Sequence, residues 1–221
     1  MEPKRINYTD IAKGIGIILV IFGHTLRGVP GLVNFIYSFH VPLFFVISGF
    51  FYSPSKNDNT KLFILKKVKT LLIPFFSFYL LSYLYWFFVE QSFRPSTSTE
   101  FYVPLIGLLY GTSYKMFIIP NGALWFLPCF FSTEILAHLI FKHIKSKFQL
   151  FILTTTLITG FVYPLFKIVP LPLGISSALT ATFFYGISCL LKEKIKGFLS
   201  ISKLGLFAVC LFFMTIVYFI K

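Results

Sequence analysis

Charge is scarce in this sequence. Only 12% of its 221 residues are Asp, Glu, Lys or Arg, and seven of those are acidic. That leaves too little polar surface for a soluble domain. Cysteine is rarer still. Cys129, Cys189 and Cys210 are odd in number and lie inside apolar runs, which argues against a disulfide framework and reads as small buried hydrophobes. There is no P-loop, no G-x-S-x-G elbow, no H-E-x-x-H and no Cys/His zinc spacing. A membrane-bound metalloprotease therefore gains no support, and no metal is expected. No internal repeat shows. Asp10 and Lys13 precede the first apolar run and no small-residue cleavage site follows it, so that run is expected to stay in the mature protein.

What is abundant is hydrocarbon. The chain is 57% apolar with 31 Phe, and its mean hydropathy is +0.83. These values define an all-α, polytopic membrane protein. Seven runs are long enough to cross about 30 Å of hydrocarbon, at 11–29, 32–53, 70–90, 122–141, 148–168, 173–191 and 201–220. The stretch from Tyr102 to Ile119 is apolar but broken by Pro104, Gly107, Gly111 and Lys115, and reads as an interfacial or re-entrant piece. Only 53–59 and 91–100 look soluble, so one membrane domain over 1–221 is expected, with no appended module.

The net charge of +13 does not point to nucleic acid, because the lysines cluster between apolar runs. Lys4 and Arg5 precede the first run. Lys56, Lys61, Lys66, Lys67 and Lys69 follow the second, Lys142, Lys145 and Lys147 the fourth, and Lys192, Lys194 and Lys196 the sixth. Alternate loops are thus basic, which places the N-terminus in the cytoplasm and, after seven crossings, Lys221 outside.

The few ionisable residues within the apolar runs are the candidates for chemistry, since a charged side chain at mid-membrane costs roughly 2.5–3.5 kcal/mol on insertion scales. Lys13 and His24 are eleven residues apart, which puts them within roughly 20° on one helix face and about 16 Å apart along the axis. His24 suits a general base for a hydroxyl nucleophile, or a histidine bonded to a neighbouring helix. Gly14, Gly16 and Gly23 open the same helix to close approach. Asp10 and Lys13 either pair with each other or join Lys66, Lys67 and Lys69 in a basic mouth suited to phosphates or lipid headgroups. His40, two residues before Pro42, reads as catalytic or structural in equal measure. Glu134 and His138, spaced i, i+4, are expected to hydrogen-bond each other. His143 lies in a lysine-rich loop and is expected to be solvated.

Four segments carry a family resemblance. RINYTDIAKGIGIILVIFGHT, IYSFHVPLFFVISGFF, KKVKTLLIPFF and NGALWFLPCFF, in that order, resemble the integral-membrane acyltransferase 3 family, and within it the branch that O-acetylates sugars of surface glycans and is fucose 4-O-acetylase-like. The resemblance runs from residue 5 to about 190. It implies a basic residue separated by ten others from an essential histidine, here Lys13 and His24. It also implies that the histidine activates the acceptor hydroxyl or passes the acyl group, with Asp10 and His40 as further catalytic candidates. Basic residues at the inner mouth would hold the phosphates of acetyl-CoA. The family's paired arginines correspond to Lys66 and Lys69, and lysine keeps the charge but loses the bidentate fork. The implied acceptor is a glycan or lipid-linked sugar, and the implied location the cell membrane.

Family members usually continue to about ten helices, so this chain is expected to be a shortened form. It is then active as it stands, completed by a partner chain that supplies the missing helices, or a non-catalytic remnant. A transporter or flippase-like exporter is the reading from another class, since intramembrane histidines and glycines also line substrate pathways.

Overall fold

The computed structural model describes residues 7–25, 30–54, 59–93, 100–112, 120–166 and 169–201. Among these residues the chain is helical throughout, without a strand. The final expected run, 201–220, and Cys210 lie outside the described residues.

Five described helices are long and apolar enough to cross a membrane: Gly31–Phe51, Thr60–Glu90, Gly122–His143, Ser146–Phe166 and Pro172–Lys194. Their exposed surface is largely phenylalanine, leucine and isoleucine, as a lipid-facing surface requires. Together with the composition, these helices describe a multi-pass membrane protein. The first expected run is helix α1 (Asn7–Thr25), but it falls outside these five. Asn7, Asp10, Lys13 and His24 dilute its nineteen residues.

The chain divides into two compact units, residues 1–52 with 184–221, and residues 53–183. In the first, α1 packs along α2 (Pro30–Phe51), and the residues of α9 (Ile175–Ile201) from Phe184 onward complete it. Ser188 Oγ donates to the Val46 carbonyl at 2.7 Å, and Lys192 Nζ donates to the Tyr52 carbonyl at 3.2 Å. The Tyr52 carbonyl lies just past the end of α2, beyond the reach of the helix's own N–H groups.

The second unit begins with a helical run that corrects the expected start at 70. Helix α3 spans Thr60–Lys67, capped by Asn59, whose side-chain oxygen accepts from Leu62 N–H at 3.1 Å. A π turn over Val68–Leu72 leads into α4 (Ile73–Tyr85), and a second over Trp86–Glu90 into α5 (Gln91–Phe93). The first π turn has a cause in Pro74. A proline ring would clash with the carbonyl four residues earlier, that of Thr70, and the wider turn makes room for it. An apolar window stops at the lysines, whereas the helix itself starts at its asparagine cap.

Helix α6 (Tyr102–Tyr110) has nine residues, about 13 Å at 1.5 Å per residue, less than half the hydrocarbon thickness. It ends at Gly111, whose φ of +60° forms a left-handed cap that a β-carbon would strain. The described part of 102–119 is thus a short piece, as its broken sequence led us to expect. Tyr79 donates to the Pro104 carbonyl at 2.5 Å, which ties α6 to α4. Beside it, α7 (Phe126–His143) buries most of one face, and α8 (Ser146–Val162) follows after a tight turn. Cys129 and Cys189 are buried free thiols, as expected.

Candidate functional site

The α1–α2 hairpin brings two of the expected site histidines to one aromatic side chain. The helices run antiparallel, so contacts climb one as they descend the other. Lys13 Nζ lies 5.5 Å from the centre of the Phe51 ring. A β-carbon on Gly16 would meet the Phe44 ring at 3.0 Å, and one on Gly23 would meet Tyr37 Cε1 at 2.6 Å. Gly23 therefore lets the Tyr37 ring pack close against α1. A β-carbon on Gly14, by contrast, would meet nothing within 4 Å among the described residues.

Tyr37 joins the cluster. Its hydroxyl donates to the Gly23 carbonyl at 2.8 Å and lies 3.4 Å from His24 Nδ1. The rings of Tyr37 and His24 are 5.8 Å apart, and those of Tyr37 and His40 5.3 Å apart. A phenol has one proton. With it committed to the shorter bond, the oxygen is left to accept from Nδ1–H of His24, and the neutral imidazole then carries its lone pair on Nε2. His40 resolves the same way, since its Nδ1 is 2.8 Å from the Ile36 carbonyl, which can only accept. His40 is buried, whereas His24 is exposed in the last turn of α1. An exposed Nε2 lone pair can reach a ligand, and a packed one is positioned chiefly to support its neighbours.

Tyr37 was not among the expected site residues, which were drawn from the histidines and the charged side chains. The signal that could have found it is spacing. Tyr37 stands three residues before His40 and so shares its helix face.

Asp10 is not gathered into this cluster. It lies exposed in the first turn of α1, fourteen residues and hence about 21 Å along the axis from His24. Lys13 is likewise exposed, about 16 Å from His24 on the same continuous helix.

In the second unit, Lys66 and Lys69 are both exposed, while Lys67 between them turns inward. Its ammonium bonds Glu134 Oε1 at 2.5 Å. Glu134 thus pairs with Lys67 rather than with His138, overturning the i, i+4 bond expected between them, and His138 Nε2 lies 3.1 Å from Thr60 Oγ1. His143 is exposed at the end of α7, as expected. Among the described residues no cluster of His, Cys, Asp and Glu could hold a metal ion.

A family model described as an acyltransferase domain matches residues 6–221. Comparison with curated proteins and with solved structures returned no match.

Proposed function

The chain belongs to this acyltransferase family, and we propose that it is a membrane O-acetyltransferase of the sugar-modifying, fucose 4-O-acetylase-like branch. In this reading it moves an acetyl group from acetyl-CoA to a hydroxyl of a surface or exported glycan, the acceptor being the glycan or its lipid-linked precursor. The observation that carries the proposal is His24, an exposed imidazole on a family-matched helix whose Nδ1 faces the Tyr37 oxygen, leaving Nε2 basic.

As the acceptor oxygen attacks the thioester carbonyl, its proton passes to His24 Nε2. The C–S bond then breaks, and the imidazolium returns the proton to the departing CoA sulfur. The products are an acetyl ester and CoA thiol. Tyr37 Oη supports the step by accepting from Nδ1–H, and that bond strengthens as the ring becomes cationic. Asp10 is the weaker catalytic candidate for want of proximity, and His40 is assigned to support of Tyr37. Lys13, Lys66 and Lys69 are proposed to contact the CoA phosphates as point charges. The proposed topology has seven helices in the cell membrane with the N-terminus in the cytoplasm, which sets Lys13 at the donor side and His24 deeper, toward the acceptor side.

The test is transfer of label from acetyl-CoA to endogenous glycan in membranes with and without the chain. Base-labile label in glycan, present only with the chain, is the expected result. Export of unmodified glycan with no need for acetyl-CoA would replace the enzyme reading with the transporter one.

Tyr37→Phe offers a finer check. It removes the oxygen that orients His24 while keeping the ring, and should lower turnover about tenfold, the order of one hydrogen bond to a charged group. Gly23→Ala displaces the same ring and should lower turnover similarly. The double variant should be little worse than either, because both changes act on one contact. Simple additivity of the two losses would show that the two changes do not act through one contact.

A further inference from the structure

The second unit contains a buried charge that the reaction above does not use. Glu134, on α7, is 4% exposed. One of its oxygens accepts from Lys67, and the other, Oε2, is buried without a hydrogen-bond partner. Replacing a buried ion pair with apolar side chains is often neutral or stabilising, so stability alone gives a poor reason for this one. A half-satisfied carboxylate is poorer still.

The surroundings suggest what it does. Helix α3 runs antiparallel to α7, and three of its residues touch α7 in sequence. Lys142 Nζ donates to Thr60 Oγ1 at 2.9 Å, and that oxygen is also within reach of His138. The Phe63 ring stacks on the His138 imidazole with centres 4.3 Å apart. Lys67 then reaches Glu134, its ammonium 5.4 Å from the centre of the Phe63 ring. At about 100° per residue, positions 60, 63 and 67 fall within roughly 60° on the helix, and 66 lies about 100° from 67. Holding the first three against α7 therefore turns Lys66 away from it, in keeping with its exposure.

Lys67 is also the last residue before the π turn of Val68–Leu72, which contains Lys69. A π turn advances by a smaller angle per residue than an α-helix, so the direction of Lys69 depends on the turn starting at this position. The Lys67–Glu134 contact fixes that start from the side of α7.

We propose that Glu134 is a positioning residue for the acyl donor: through Lys67 it sets the rotation of α3 and the onset of the π turn, and so holds Lys66 and Lys69 outward as a phosphate-binding pair. The assignment rests on the acetyl-CoA reading above. Glu134 does not touch the donor, and Lys67 serves as the link.

The test is direct binding of CoA to the purified full-length chain in detergent, alongside steady-state kinetics with acetyl-CoA and the glycan acceptor varied separately. Glu134→Gln keeps the size of the side chain but loses the charge, and should weaken CoA binding about tenfold. The KM for acetyl-CoA should rise in parallel, with kcat and the acceptor KM within about twofold. The charge reversal Lys67→Glu with Glu134→Lys rebuilds the contact in the opposite sense and should recover most of the affinity. It also serves as the control for a Glu134→Gln variant that folds poorly.

Three results would overturn the assignment. One is unchanged CoA affinity in a folded Glu134→Gln. Another is a reversal that binds no better than the single variant, which would make Lys67 itself a donor contact. The third is a loss confined to kcat or to the acceptor. If the wild-type chain binds no CoA, the donor reading falls and this inference with it. Binding by wild type with no change in the variant removes this inference alone.

Discussion

His24→Ala is expected to lower acetyl transfer by about 10²–10⁴-fold, the range a positioned general base supplies, while membrane-inserted protein stays at the wild-type level. The two halves of that expectation come from the same geometry. His24 is exposed and one residue from the end of α1, so truncating it removes little packing. Among the described residues its hydrogen-bond and ring contacts are with Tyr37, through a 3.4 Å approach of Nδ1 and a ring pair 5.8 Å apart. His40→Ala is the informative partner. His40 is 6% exposed and bonded to its own helix, so truncation there opens a cavity behind Tyr37 and costs stability as well as rate. If His40→Ala abolished transfer with no loss of folded protein while His24→Ala retained it, the roles assigned to the two histidines would be reversed. Acetylation in membranes, normalised to inserted chain, measures both.

The hairpin was legible in the sequence because its signals are local. Lys13 and His24 sit on one face of an uninterrupted helix, and a fixed rise per residue gives their separation without reference to any other part of the chain. His40 was legible as a candidate for the same reason, an ionisable group in an apolar run. Tyr37 was not, because a tyrosine in a membrane helix is unremarkable until a partner helix brings a glycine beneath its ring. The case of Lys67 is sharper. The sequence presents Lys66, Lys67 and Lys69 as one basic cluster, and nothing in their order says that the middle one faces inward. That follows from Glu134, sixty-seven residues away, and from the face that Thr60 and Phe63 already commit to α7. Pairings of this kind are non-local, and periodicity within one segment does not encode them.

The same limit applied to the glycines, and it yields the second large effect. Gly14, Gly16 and Gly23 read alike as residues that permit close approach, yet the structure separates them, and its tightest approach is at Gly49 on α2. A β-carbon on Gly49 would lie 2.0 Å from the Tyr185 carbonyl oxygen and 2.8 Å from its carbonyl carbon. The obstruction is backbone, which cannot rotate aside as a side chain can. To admit even one methyl group, α9 must move off α2 at this crossing. The neighbouring bonds from Ser188 to the Val46 carbonyl and from Lys192 to the Tyr52 carbonyl would stretch with it.

Gly49→Ala is therefore expected to destabilise the chain by about 3 kcal/mol, the upper end for overpacking a close contact, and Gly49→Val by more. Gly14→Ala is the matched control, because nothing among the described residues lies within 4 Å of its added carbon. Inside a helix such a change stabilises by up to about 1 kcal/mol through backbone entropy. The two substitutions add the same atoms to helices of the same unit and should move the thermal midpoint of the detergent-purified protein in opposite directions. Acetyl transfer should follow stability in Gly49→Ala and stay unchanged in Gly14→Ala, since α2 carries Tyr37 and His40 on the helix that Gly49 anchors. Equal midpoints for the two variants would mean that α9 does not cross α2 at Gly49, and the support drawn here for the first unit would have to be rebuilt from another contact.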